Sequence, residues 1–323
     1  MSNAPAALMF RAVYALNVAV SRPKVVMSLQ IFGLVVKVAL SGLLIFGHLG
    51  SPRLGAVGCA VASAIVYWAM FLIGWAHVRF NASYRRFAIR FAGPRWSALK
   101  DQLRLGIPMG LSYALESTSF TFMALLIARL GTTVMGGHQI VMNLAALSYQ
   151  IPLALAVATA TVTAQAIGAG DLLRARMTAF TGLRIGLIVA AATSVAFWTF
   201  RDGIVALYTS DAAVAGVALS LIGYVIAFHV FDALQGITAF VLRAYRIAVV
   251  PTVIYAVALW GLGLVGGYVV GFHPVFGTPR GASGMWLMQA VALFVTSLLL
   301  MGFYLQVLRR HGAAAALHAA GRH

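Results

Sequence analysis

Six acidic residues occur in the 323, and two of them, Glu116 in "YALESTSF" and Asp232 in "HVFDALQG", fall inside apolar runs long enough to cross a bilayer. A carboxylate at the centre of an inserted helix costs about 2.5 to 3.5 kcal/mol, so each should face protein or water rather than lipid. There it can hold a proton and exchange it for another cation when water arrives, which is the chemistry of an ion-coupled carrier. The other four, Asp101, Asp171, Asp202 and Asp211, sit in a basic linker, in a turn or at outer ends of spans, and read as loop, cap or orientation residues.

Polar residues recur beside each acid at helical spacing. Ser112, Glu116 and Ser119 share one face, as do His229, Asp232 and Gln235. A third run places Gln139, Asn143 and Gln150 along one stripe. The three faces are expected to meet in a common interior, although polar residues in membrane helices also serve simply to bond helix to helix. Lys37, in mid-span, is a candidate cavity residue, as a counter-ion or a substrate-repelling charge, or else a side chain snorkelling along Ser41 and Gly42. His229 is a candidate proton relay or a plain helix contact. Pro152 should bend its span opposite the carbonyl of Ser148. No HExxH, GxSxG or GxxxxGK[ST] motif occurs, and Cys59 stands alone, so neither an enzyme nor a bound cofactor is expected; energy would come from an ion gradient.

The elements that must hold these residues are membrane helices. The chain is 62% hydrophobic and 9% charged, with a mean hydropathy of +0.94, far from the make-up of a soluble domain. Its apolar runs are contiguous, unlike the alternating strands of a barrel. Eight spans are predicted, over 25–47, 55–78, 105–130, 138–166, 177–200, 214–241, 248–271 and 284–308, with residues 1–21 part of another. Turn signals separate them, among them Gly50-Ser51-Pro52, Gly93-Pro94 and Gly168-Ala169-Gly170-Asp171. The net charge of +17 does not point to nucleic acid, because the basic residues lie between the spans rather than on one soluble face. Apart from Lys37, Arg53, Arg129, Arg201 and Arg280, they gather in alternate loops, including Arg85, Arg86, Arg90 and the C-terminal Arg322. That side is expected to be cytoplasmic, with both chain ends there.

An internal repeat is also visible. "GHLGSPRLGAVG" resembles "GFHPVFGTPRGASG", with Gly55-Ala56-x-Gly58 on Gly281-Ala282-x-Gly284 and Arg22 on Arg246. The copies lie about 225 residues apart, so the first copy is expected to lack its opening part. The predicted organisation is a remnant of an N-terminal bundle with a basic linker over 1–97, a complete six-helix bundle over 98–310, and an Ala-rich cytoplasmic tail over 311–323.

Residues 106 to 176, from "GIPMGLSYALESTSF" to "TAQAIGAGDLLRAR", and residues 228 to 246, "FHVFDALQGITAFVLRAYR", resemble the multidrug and toxic compound extrusion (MATE) transporters, in their bacterial NorM-like branch. The resemblance implies an all-α polytopic fold of two six-helix bundles related by a pseudo-two-fold axis, of which the eight spans would be helices five to twelve. It implies that Glu116 and Asp232 are coupling-cation residues, for Na+ or H+, and that Tyr149, off the Gln139 to Gln150 stripe, lies near the cation. It implies cation-coupled efflux of amphipathic cationic drugs across the cell inner membrane. A lipid-linked oligosaccharide flippase of the same superfamily, or a non-transporting fragment, are the alternatives. Thr163-Ala164-Gln165 replaces the family's Val-Gly-Gln, Ala39 replaces a proline, and the acidic residue of the family's first helix has no counterpart here.

Overall fold

The computed structural model describes residues 3–47, 53–82, 84, 93, 95–275 and 277–320. The Gly50-Ser51-Pro52 turn, Pro94, Arg85, Arg86, Arg90 and Arg322 lie outside the described residues. All regular structure among the described residues is helical: α1 Asn3–Ala19, α2 Pro23–Phe46, α3 Gly55–Phe80, α4 Trp96–Ala128, α5 Thr132–Gly168, α6 Leu172–Thr199, α7 Arg201–Tyr208, α8 Ala212–Ala244, α9 Val249–Tyr255, a π-helical stretch Ala256–Val265, α10 Gly266–Phe272, and α11 Gly281–Ala320. Among the described residues, eight stretches are long and apolar enough to cross a membrane, and they coincide with the eight predicted spans. The chain is therefore a multi-pass α-helical membrane protein. α4, α5 and α8 are longer than the spans predicted for them, because helical hydrogen bonding continues past the apolar stretch into flanking residues. Asp171 and Asp211 cap α6 and α8: Asp171 accepts from the Arg174 N–H at 2.9 Å, and Asp211 from the Ala213 and Val214 N–H groups at 2.8 and 3.3 Å.

The chain divides into two compact units, Met1–Pro94 and Arg95–His323. In the first, α1 and α2 pack on α3 around Phe10, Leu29, Val66 and Met70. In the second, α5 and α8 form the most extensive helix pair, with α6 and α11 also on α8. The α5–α8 approach depends on Gly137, where a Cβ would lie 2.5 Å from Val217 Cγ1 and 2.9 Å from the Ala218 nitrogen. Small residues at such crossings let backbones come close enough for dispersion to act, the main attraction available between helices in lipid. α5 remains one helix through Pro152.

The repeat reappears as local geometry. At the end of α1, Ser21 takes a positive φ of 59° and the Arg22 N–H returns to the Asn17 carbonyl at 2.8 Å; after α8, Arg246 takes 61° and the Ile247 N–H returns to the Leu242 carbonyl at 3.0 Å. Ser21 thus corresponds to Arg246, one position from the match of Arg22 with Arg246 read in the sequence. At the second corner, Gly55 and Gly281 open α3 and α11 at φ of 52° and 56°. The residue before each bonds back to the preceding helix, Leu54 to Leu44 at 3.0 Å and Arg280 to Val270 at 3.3 Å. The matched glycines Gly58 and Gly284 meet backbone at 2.7 Å (Leu44) and 3.0 Å (Gly271) from where a Cβ would stand.

Candidate functional site

Glu116 lies midway along α4, and the neighbours of that helix decide where it points. Ser112 meets Thr252 of α9 at 2.8 Å, Thr252 donates to the Pro108 carbonyl at 2.8 Å, and Trp260 of the π stretch donates to the Leu115 carbonyl at 3.1 Å. Ser119 donates to the Leu259 carbonyl and accepts from Gln289 of α11, both at 3.3 Å. These bonds fix one side of α4 against α9, the π stretch and α11. The opposite side, with Tyr113, Ser117 and Phe120, faces a cavity of about 580 Å³ shared with α5 and α8. Glu116 stands at the edge of that side and lines the cavity.

Ser112 and Ser119 are therefore not brought to the cavity; they are 2% and 0% exposed and hold helices together. A helix turns about 100° per residue, so both lie roughly 110–130° round from the middle of the cavity side, with Glu116 between. The same arithmetic divides the stripe on α5. Gln139 lines the cavity together with Met142 and Tyr149, whose mean direction lies some 40–80° to one side of Gln139. Asn143 and Gln150 fall on its other side. Asn143 is exposed and accepts from the Tyr208 hydroxyl of α7 at 2.9 Å, and Gln150 donates to its own helix at Ala146. Neither lines the cavity.

On α8, Asp232 lines the cavity and is 4% exposed. Its Oδ1 accepts from Gln235 Nε2 at 2.9 Å, and Gln235 Oε1 in turn accepts from the Tyr255 hydroxyl. Gln235, 1% exposed, thus stands behind Asp232 as its hydrogen-bond partner and does not line the cavity. Tyr149 packs its ring 4.0 Å from the Cβ position of Gly236, on the same helix as Asp232. His229 is buried beside Phe228 and does not line the cavity. Lys37 belongs to the first unit, in a separate cavity of about 390 Å³ with Arg11, Gln30 and Ser63. Among the residues not singled out from the sequence are Tyr255, which anchors Gln235, and His138, fully buried at the cavity lining.

The arrangement can hold positive charge. Two carboxylates on different helices share one cavity with the Tyr149 ring, and among the described residues the one ion pair lies elsewhere, Arg201 with Asp202 at 3.7 Å. Among the described residues no three of His, Cys, Asp and Glu gather as a metal cage. A monovalent ion or an organic cation would thus meet two acids and an aromatic face, with room left for water.

The MatE family model matches residues 108–269, which include Glu116, Tyr149 and Asp232. The chain is 38% identical over 309 residues to "Probable multidrug resistance protein NorM" of Aromatoleum aromaticum, covering 95% of this chain and 66% of that protein. It is 32% identical over 316 residues to "Multidrug resistance protein MdtK" of Yersinia enterocolitica, covering 97% and 69%. The chain thus spans about two thirds of the length of these relatives. Its fold is similar to part of the eukaryotic MATE transporter AtDTX14 (TM-score 0.84, 21% identity, 92% of this chain and 65% of that one). A mutant of the Vibrio cholerae MATE transporter VcmN is similar in the same way (TM-score 0.82, 18% identity, 96% and 68%).

Proposed function

The chain belongs to the MATE family, in its NorM/MdtK branch, and on that footing we propose that it works in a cation-coupled antiporter that exports amphipathic organic cations by alternating access. The observation that carries the reading is the meeting of Glu116 and Asp232, from α4 and α8, in one cavity of about 580 Å³ with Tyr149. Na+ or H+ enters from outside and occupies the acids, and its binding favours the state that releases drug. Cytoplasmic drug then favours the state that releases the cation. Coupling requires only that the two ligands prefer different states. Because the acids also attract a positively charged drug, the two compete for one patch of negative charge.

The protein would do this in the cell inner membrane, with the loops rich in arginine on the cytoplasmic side, following the distribution of basic residues. The work is transport rather than enzymatic conversion. The acidic wall suits a positively charged cargo better than the phosphates of a lipid-linked oligosaccharide.

The test is efflux from proteoliposomes. Glu116→Gln and Asp232→Asn should each abolish gradient-driven export while the purified protein keeps its elution profile and helical content. Gradient-driven export at the unaltered rate in either variant would refute the reading.

A further inference from the structure

The cavity has a positive neighbour that the proposed cation site does not use. Arg243 stands in the last turn of α8, eleven residues after Asp232. That separation is three turns and about 20°, so the two share one face of the helix. The guanidinium carbon of Arg243 lies 5.2 Å from the centre of the Tyr113 ring and 4.5 Å from that of Phe240. Tyr113 lines the cavity from α4, less than a turn before Glu116.

An arginine does not lose its proton in a protein, so this is a permanent positive charge, and stacking on two rings holds it in place. No carboxylate cancels it by contact. Its Nη1 is buried without a hydrogen-bond partner, and among the described residues the one ion pair is Arg201 with Asp202. A charge left unpaired in a poorly solvated place is felt at a distance. The Arg243 charge acts on Glu116 and on the Tyr255 hydroxyl that stands behind Gln235. Two carboxylates with one guanidinium close by leave the region about one negative charge to offer a cargo, where the acids alone would offer two.

We propose that Arg243 is a specificity-determining residue that limits the positive charge of the cargo, favouring singly over doubly charged amphipathic cations. The inference rests on the reading of the cavity as a drug site. Arg243 need not touch the cargo. Its repulsion grows with cargo charge, so a dication loses about twice what a monocation loses, while apolar and aromatic contacts are left alone. A repulsive element that weighs more heavily on the wrong ligand is how specificity is built beside a strong general attraction, here that of the two acids.

The experiment is equilibrium binding to the purified protein in detergent, in Na+-free buffer of low ionic strength, with two dyes. Ethidium and propidium share one phenanthridinium ring system, and propidium adds a side chain with a second positive charge. Arg243→Gln should bind ethidium about threefold and propidium about tenfold more tightly than the unaltered protein does, about threefold for each charge. Arg243→Lys, which keeps the charge and loses the planar stack, should leave the ratio of the two affinities where it was. Arg243→Met makes the same neutral comparison should Arg243→Gln fail to fold. An unshifted ratio in the neutral variant, equal tightening of both dyes there, or the same shift in Arg243→Lys would overturn the proposal. Glu116→Gln tests the drug-site reading separately: it should weaken both dyes, and unchanged binding of both would sink that reading, whatever Arg243→Gln does.

Discussion

Gln235→Leu removes the hydrogen bond that Asp232 receives from Gln235, and the structure sets its size. Gln235 Nε2 donates to Asp232 Oδ1 at 2.9 Å, with the two residues 1% and 4% exposed, so water does not substitute for it. A hydrogen bond to a charged group contributes about 1.5–3 kcal/mol, and it acts only while Asp232 is a carboxylate. Cation binding requires that carboxylate; without the amide, the protonated acid gains by the same amount. At fixed pH the variant should therefore need about tenfold to hundredfold more Na+ for half-maximal export, whereas in the pH series its half-maximal point should move to higher pH, because the acid then holds its proton more tightly. The assay is drug efflux from proteoliposomes against a series of outside Na+ concentrations at fixed pH, and of pH values at fixed Na+. Leucine also leaves the Tyr255 hydroxyl without its acceptor, so the double variant Gln235→Leu/Tyr255→Phe should recover thermal stability without recovering cation affinity. A Gln235→Leu protein with the unaltered cation dependence in both series would refute the assignment of Asp232 to the cation site.

Other outcomes follow from the packing. Gly137→Ala places a methyl group 2.5 Å from Val217 Cγ1 and 2.9 Å from backbone, so the α5–α8 pair must part, at a cost of about 1–3 kcal/mol. It should aggregate at lower temperature than the unaltered protein on size exclusion after heating, whereas Gly302→Ala, which meets nothing within 4 Å, should not. Asn143→Ala, which breaks only an exposed bond to Tyr208, should leave the cation dependence of export unchanged.

Much of this was legible in the sequence, because the bilayer imposes coarse rules. Eight spans follow from length and apolarity, and Glu116 and Asp232 follow from the cost of a carboxylate in lipid. What the one-dimensional pattern could not fix was which side of each helix meets which neighbour. Ser112 and Ser119 lie within a turn or so of Glu116, but Thr252, Leu259 and Gln289, more than a hundred residues away, claim them. Asn143 and Tyr149 are separated by a similar rotation, and only the family resemblance pointed to Tyr149. His138 carried a faint signal as a histidine in an apolar span one residue before Gln139, but its partner Trp286 lies in another span. The π stretch at Ala256–Val265 left none beyond Gly261 and Gly263, because the winding depends on the helices packed around it.

The twin corners of the repeat carry a consequence for how this architecture changes over time. Met1–Pro94 and Arg95–His323 are built on the same two bends. What recurs at them is backbone geometry, a left-handed residue after one helix and a glycine opening another, with little of the surrounding side-chain chemistry in common. Such a corner leaves the joined helices free to diverge in sequence while the angle between chain directions stays pinned.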